Sequence, residues 1–134
     1  MNDIMIRILL AKLGDGYDQA LLRLGKRLLD AGFEVIYTNT QEPEAIVVSA
    51  LQESVDHIGI TLLPDADIRD LGKIIELLAR ENASDIQVTA GGFLAEEDIL
   101  TVKGMGISEF FPKGTTFQQL VKWAREHIVP IDAE

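Results

Sequence analysis

The strongest constraint on this chain is a rhythm. Short apolar runs alternate with segments of helical period, and no stretch breaks the alternation. Strand-like runs occupy Ile4–Ala11, Phe33–Thr38, Asp56–Leu63, Asp85–Ala90 and Ile107–Phe111. Helical spacing follows each of them, at Tyr17–Ala31, Pro43–Ser54, Ala66–Glu81, Ala95–Lys103 and Thr115–Ile128. A strand that returns through a helix pairs in parallel with the one before it, because only a long crossover brings the chain back to the same end of the sheet. The run "IGITLL" reads as apolar throughout, as a sheet covered on both faces requires. Punctuation supports the boundaries. Gly32 in "DAGF" suits a helix C-terminus. Thr40 or Gln41 precedes Pro43 in a first turn. Thr115 or Thr116 suits the N-cap of the last helix.

The expected fold is therefore α/β: a flavodoxin-like, doubly wound five-stranded parallel sheet of order 2-1-3-4-5, with helices on both faces. With 134 residues, the chain is expected to form a single domain (residues 1–134), its core running from about 4 to 128 and a tail over 129–134. In that order the winding reverses between strands 1 and 3, which opens a crevice at the C-terminal ends of the strands. The loops expected to line it are Lys12–Asp18, Pro64–Asp67, Gly91–Phe93 and Pro112–Thr115.

Composition excludes several kinds of chemistry. The net charge of −10 repels phosphate backbones and anionic lipid, so neither nucleic acid nor a membrane surface is an expected partner. The chain has no cysteine, which removes disulfides, thiolate nucleophiles and cysteine-bound metals, and fits a reducing cytoplasm. "MNDIMIRILLAK" lacks the pattern of a signal peptide. No apolar run approaches the roughly 20 residues that span a bilayer.

The rim offers few catalytic groups. Asp15, Asp18, Asp65 and Asp67 suggest a hard-cation site or, with Thr89 and Lys113, a phosphoacceptor receiver. Yet no acidic pair ends strand 1 ("LAK") and no aspartate ends strand 3 ("TLL"), so solvated loop carboxylates are the default. Gly91 and Gly92 would let a ligand approach the backbone, or would merely turn the chain. Gly114 and Thr115 would receive an anion at a helix N-terminus, or would merely cap it. His57 opens strand 3 at the far end of the sheet and reads as a partly buried structural residue. His127 lies near the end of the last helix, where a cation suits the dipole. No serine triad or Walker loop is visible.

The stretches "RILLAKLG", "LLDAGFEVIYTNTQEPEAIV", "ALQESVDHIGITLL", "GGFLAEEDI" and "GISEFF" occur in order over roughly residues 4 to 128. In this the chain resembles the cobalamin-binding domain, or small subunit, of methylmalonyl-CoA mutase and related acyl-CoA mutases. The resemblance implies adenosylcobalamin as cofactor, bound beside a separate mutase barrel subunit that carries the catalytic groups; a homo-oligomer is also compatible. In the family the first loop reads Asp-x-His-x-x-Gly. Its histidine takes the lower axial position on cobalt, and its aspartate fixes the histidine's tautomer. The displaced nucleotide tail enters the crevice past a Ser-x-Leu and a Gly-Gly motif.

Carried over position by position, the resemblance makes Asp15, Gly16, Tyr17, Thr61, Leu63, Gly91, Gly92, Gly114 and Thr115 the cofactor-binding residues, with no catalytic residue in this chain. Tyr17 stands in place of the histidine, Ala20 in place of the glycine, and the loop is one residue shorter before Asp15. Thr61-Leu62-Leu63 keeps a hydroxyl. Pro64-Asp65-Ala66-Asp67 brings carboxylates to a rim that is usually neutral, and Lys113 is inserted in the last turn. A phenol ligates a metal well only after losing its proton, unlike imidazole near neutral pH. Two readings follow: a carrier that binds the corrinoid with the cofactor's own base still on cobalt or with no protein ligand, or a cofactor-free domain in which Tyr17 fills the crevice.

Overall fold

The computed structural model describes residues 5–131. The chain alternates β1 (Arg7–Leu13), α1 (Asp18–Asp30), β2 (Glu34–Tyr37), α2 (Pro43–Gln52), β3 (His57–Leu62), α3 (Ile68–Arg80), β4 (Gln87–Gly92), α4 (Glu96–Lys103), β5 (Glu109–Pro112) and α5 (Phe117–His127). All strand pairs are parallel, and the order is β2-β1-β3-β4-β5. Both match the expectation from the rhythm. Ile4, placed in the first strand, and residues 132–134 of the tail lie outside the described residues.

Alternation along each strand divides the interior. Leu9, Ala11, Ile58, Ile60, Leu62, Val88 and Ala90 face α2, α3 and α4 in the larger core, with Ile46, Leu71, Ile74 and Val102 opposite them. Ile8 and Leu10 face α1 and α5 and join Leu28, Phe33, Ala124 and Ile128. Among the described residues the larger core holds eighteen buried side chains and the smaller six. Each Val, Leu, Ile or Phe side chain among them, fully buried, contributes about 1.5–3 kcal/mol, so most of the stabilisation lies on one face. The other face is left free to hold a cavity.

Several boundaries differ from those read from the sequence. β1 runs on through Lys12 and Leu13, because both pair with β3, opposite Thr61 and Leu62. The loop after it is therefore only residues 14–17. Gly91 and Gly92 are not a turn: they are the last residues of β4, paired with Thr61 and Leu62 on one side and Phe111 and Pro112 on the other. The N-cap of α2 is Glu42, not Thr40 or Gln41. Thr40 Oγ1 accepts the Glu42 N–H, and Gln41 reaches away to the first loop. Gly32 does end α1 as expected: it sits at φ 101°, with its N–H on Leu29 O and that of Phe33 on Leu28 O, a Schellman closure. Thr116, rather than Thr115, caps α5, in a full capping box with Gln119.

Candidate functional site

A slot of about 220 Å³ lies on the α1/α5 face. Its mouth is at the C-terminal ends of the strands, where Thr61, Gly91, Lys113, Gly114 and Thr115 line it. From there it runs beneath α1 (Ala20, Leu24) and α5 (Leu120, Trp123) to His57, the first residue of β3. Thr61 lies four residue steps along β3 from His57, about 13 Å at 3.3 Å per residue.

The slot exists because the β3 and β4 side chains on this face are small or polar. His57, Gly59 and Thr61 alternate along β3, and Thr89 and Gly91 along β4. Gly59 sits in the middle of the central strand and is nevertheless partly exposed. A Cβ there would come 3.1 Å from Leu10 Cδ2 and 3.9 Å from Thr89 Oγ1, inside the slot. The reading of "IGITLL" as uniformly apolar overlooked this face. The signal was present in the sequence as every second residue of "HIGIT" and "TAG".

The floor is polar. His57 is 2% exposed and Thr89 8%, and His57 Nε2 lies 3.0 Å from Thr89 Oγ1. His57 is therefore fully buried, not partly so. Loss of hydration pushes its pKa down to about 4, so the imidazole is neutral at pH 7. Trp123 forms an aromatic wall, its ring 5.3 Å from Phe111, 6.1 Å from His57 and stacked at 4.6 Å on His127. His127 Nδ1 lies 2.9 Å from the carbonyl oxygen of Trp123, which holds this wall at the helix end.

The rim residues separate into two groups. Thr61, Gly91, Gly92, Gly114 and Thr115 line the slot. Asp15, Gly16, Tyr17 and Leu63 do not. Leu63 is buried beneath the rim, its N–H on Leu13 O. Asp15 anchors the first loop: its N–H is donated to Asp65 Oδ1 at 3.0 Å, and its carboxylate accepts from Gln41 Nε2 at 3.1 Å. Gln41 Oε1 in turn accepts the Gly14 N–H. Lys12 Nζ spans the same loop, 2.6 Å from Asp18 and 2.9 Å from Gly16 O.

Tyr17 does not fill the crevice. It is 54% exposed, in a left-handed conformation (φ 60°), with its ring 5.2 Å from that of Phe93. Lys113 Nζ sits over the same Phe93 ring at 4.9 Å; among the described residues that line the slot it is the one charged side chain, and none is a carboxylate.

The carboxylates brought to the rim after β3 have partners within the loops. Asp67 caps α3 through the Arg69 N–H and pairs with the Arg69 guanidinium at 2.8 Å, which holds its carboxyl below the usual carboxylate range. Asp65 is tied to Asp15 N–H. Among the described residues no three histidine, aspartate or glutamate side chains group closely enough to hold a metal.

Known proteins resemble this chain in family and in fold. The B12 binding domain family matches residues 6–121. The 2-hydroxyisobutanoyl-CoA mutase small subunit of Aquincola tertiaricarbonis is 37% identical over 123 residues, 90% of either chain. The pivalyl-CoA mutase small subunit of Xanthobacter autotrophicus is 33% identical over 87% of this chain and 80% of its own. Among solved structures, a cobalamin-binding protein from Desulfitobacterium hafniense superposes with TM-score 0.75 at 20% identity, over 91% of this chain and 58% of that one. The Vibrio cholerae chemotaxis protein CheY4 superposes at 0.69 with 14% identity, a likeness of fold alone.

Proposed function

The chain belongs to the B12-binding domain family, and from that premise we propose that it is the corrinoid-binding small subunit of an adenosylcobalamin-dependent acyl-CoA mutase. In this reading it works in the cytoplasm beside a separate barrel subunit and binds the corrinoid without a protein histidine on cobalt. One observation carries the proposal: the slot is open from rim to floor while Tyr17, at the histidine position, stands outside it.

The slot suits a nucleotide tail end to end. Glycine backbone, Thr61, Thr115 and the Lys113 ammonium at the mouth suit ribose and phosphate. The apolar interior between Leu24, Leu120 and Trp123 suits a flat base. When bound, adenosylcobalamin supplies the radical chemistry of the rearrangement; this chain positions it and excludes water from its tail. Acids and bases that act on the substrate belong to the partner.

The second reading, a cofactor-free assembly module, is favoured by a different observation. The first loop is closed by its own contacts, Lys12 to Asp18 and Gly16, Asp15 to Asp65, and Tyr17 to Phe93. Titration with adenosylcobalamin and hydroxocobalamin, followed in the visible spectrum, separates the two. Binding below about 100 μM, a free energy near −5.5 kcal/mol, is expected. No spectral change up to that concentration leaves the cofactor-free module as the surviving reading.

A further inference from the structure

The slot ends in a polar pair that an apolar base would leave unused. His57 and Thr89 are the two buried polar side chains among the described residues, and they bond to each other at 3.0 Å. No other side-chain hydrogen bond of either is formed among those residues. A neutral imidazole carries one N–H and one bare nitrogen; a hydroxyl carries one hydrogen and accepts as well. If His57 Nε2–H donates to Thr89, the threonine hydrogen and the bare Nδ1 remain. If the threonine donates to Nε2, the Nδ1–H and a lone pair on Oγ1 remain. In either tautomer the pair keeps one donor and at least one acceptor, and burial keeps the imidazole in the neutral form that this count assumes.

We infer that this pair selects the base at the end of the cofactor's nucleotide tail, favouring a purine-type base over dimethylbenzimidazole. The inference rests on the corrinoid reading above. Polar groups and Lys113 at the mouth hold the phosphate end, so the base is the part that reaches the floor, about 13 Å along β3 at 3.3 Å per residue. The outer edge of adenine offers an amino donor beside a ring-nitrogen acceptor, so the Thr89 hydroxyl in the slot, which keeps a hydrogen or a lone pair free in either tautomer, finds a partner there. The outer edge of dimethylbenzimidazole offers two methyl groups, which satisfy neither. Sites built to hydrogen-bond a ligand discriminate strongly against an analogue lacking the bond, because their own polar groups are then left unpaired. Trp123 and Phe111 would offer the same ring surface to either base and so do not discriminate.

The test compares cobalamin with its analogue carrying adenine in place of dimethylbenzimidazole. Both are presented as dicyano forms, so that the base is already free of cobalt in each and differences in base–cobalt strength drop out. Binding is read from quenching of Trp123, the chain's single tryptophan and part of the slot wall. The adenine corrinoid is expected to bind at least tenfold more tightly to the unaltered protein. In Thr89→Val and in His57→Phe the preference is expected to fall below threefold, through weaker binding of the adenine form alone. Equal affinities, a preference for dimethylbenzimidazole, or a preference that survives both substitutions overturns the inference and leaves the corrinoid reading standing. If neither corrinoid binds, both the inference and the corrinoid reading are overturned. The comparison on the unaltered protein decides the matter even if the variants fold poorly.

Discussion

Tyr17 and Phe93 pair at the mouth of the slot, ring centroids 5.2 Å apart, and neither ring lines its interior. The pair closes the first loop against the end of β4 without occupying the space a nucleotide tail would use. The position still carries a left-handed backbone (φ 60°), which histidine tolerates better than most residues. Tyr17→His is therefore expected to fold. It loses an exposed aromatic contact worth about 0.5–1.5 kcal/mol and gains an imidazole where the family places its cobalt ligand. Hydroxocobalamin affinity should rise at least tenfold, and the visible spectrum should shift toward a nitrogen-ligated, base-displaced form. An unchanged spectrum and affinity would show that the shortened loop does not reach cobalt.

Gly59 keeps the middle of the slot open. In Gly59→Ala the new methyl lies 3.1 Å from the flexible tip of Leu10 and near van der Waals contact with Thr89. Leu10 has only to give by a few tenths of an ångström, and alanine is no worse than glycine in a strand. Stability by urea denaturation should stay within about 1 kcal/mol, while corrinoid affinity falls about tenfold as the channel narrows. Equal affinity with an intact fold would mean that no tail passes Gly59.

The sheet order was legible because five apolar runs separated by helical periods permit few topologies. The mouth was legible too, since the switch point follows from the order; Thr61, Gly91, Gly92, Gly114 and Thr115 all line it. The floor was not. His57, Gly59, Thr89 and Trp123 come from two strands and the last helix, and only parallel register brings His57 and Thr89 together. Their alternation was hidden by equally regular isoleucines on the opposite face of β3. The acidic loops were legible in part. Asp65 and Asp67 are exposed, as solvated loop carboxylates should be, but their hydrogen bonds to the Asp15 N–H and to Arg69 were not legible. Such local pairings depend on loop geometry that spacing does not specify.

Gly92 is constrained by backbone rather than by a ligand. It sits at φ 117°, and a Cβ there would lie 2.5 Å from Leu62 O, an atom fixed in the central strand. Gly92→Ala combines about 1–3 kcal/mol of backbone strain with that collision. It should lower the urea unfolding free energy by at least about 2 kcal/mol. A loss of corrinoid binding without loss of stability would contradict this and make Gly92 a contact residue first.

His57 also makes stability depend on pH in a defined window. Its pKa is about 4 in the folded protein against an ordinary 6.5. Between those values the unfolded chain takes up a proton that the folded chain refuses. Stability is therefore fully present above about pH 6.5 and falls as the pH drops toward 4. The depressed carboxylates Asp67 and Glu44 begin to contribute only when the pH falls through the ordinary carboxylate range. The interval from pH 7 to pH 5 thus belongs mainly to the histidine. Across it the unfolding free energy should fall by about 2 kcal/mol, measured by urea denaturation at fixed ionic strength. In His57→Phe most of that slope should vanish, whatever the absolute stability of the variant. A slope of the same size in the variant would assign the titration to another group and would mean that His57 can be protonated in the folded state, with the floor of the slot more accessible to water than its burial indicates.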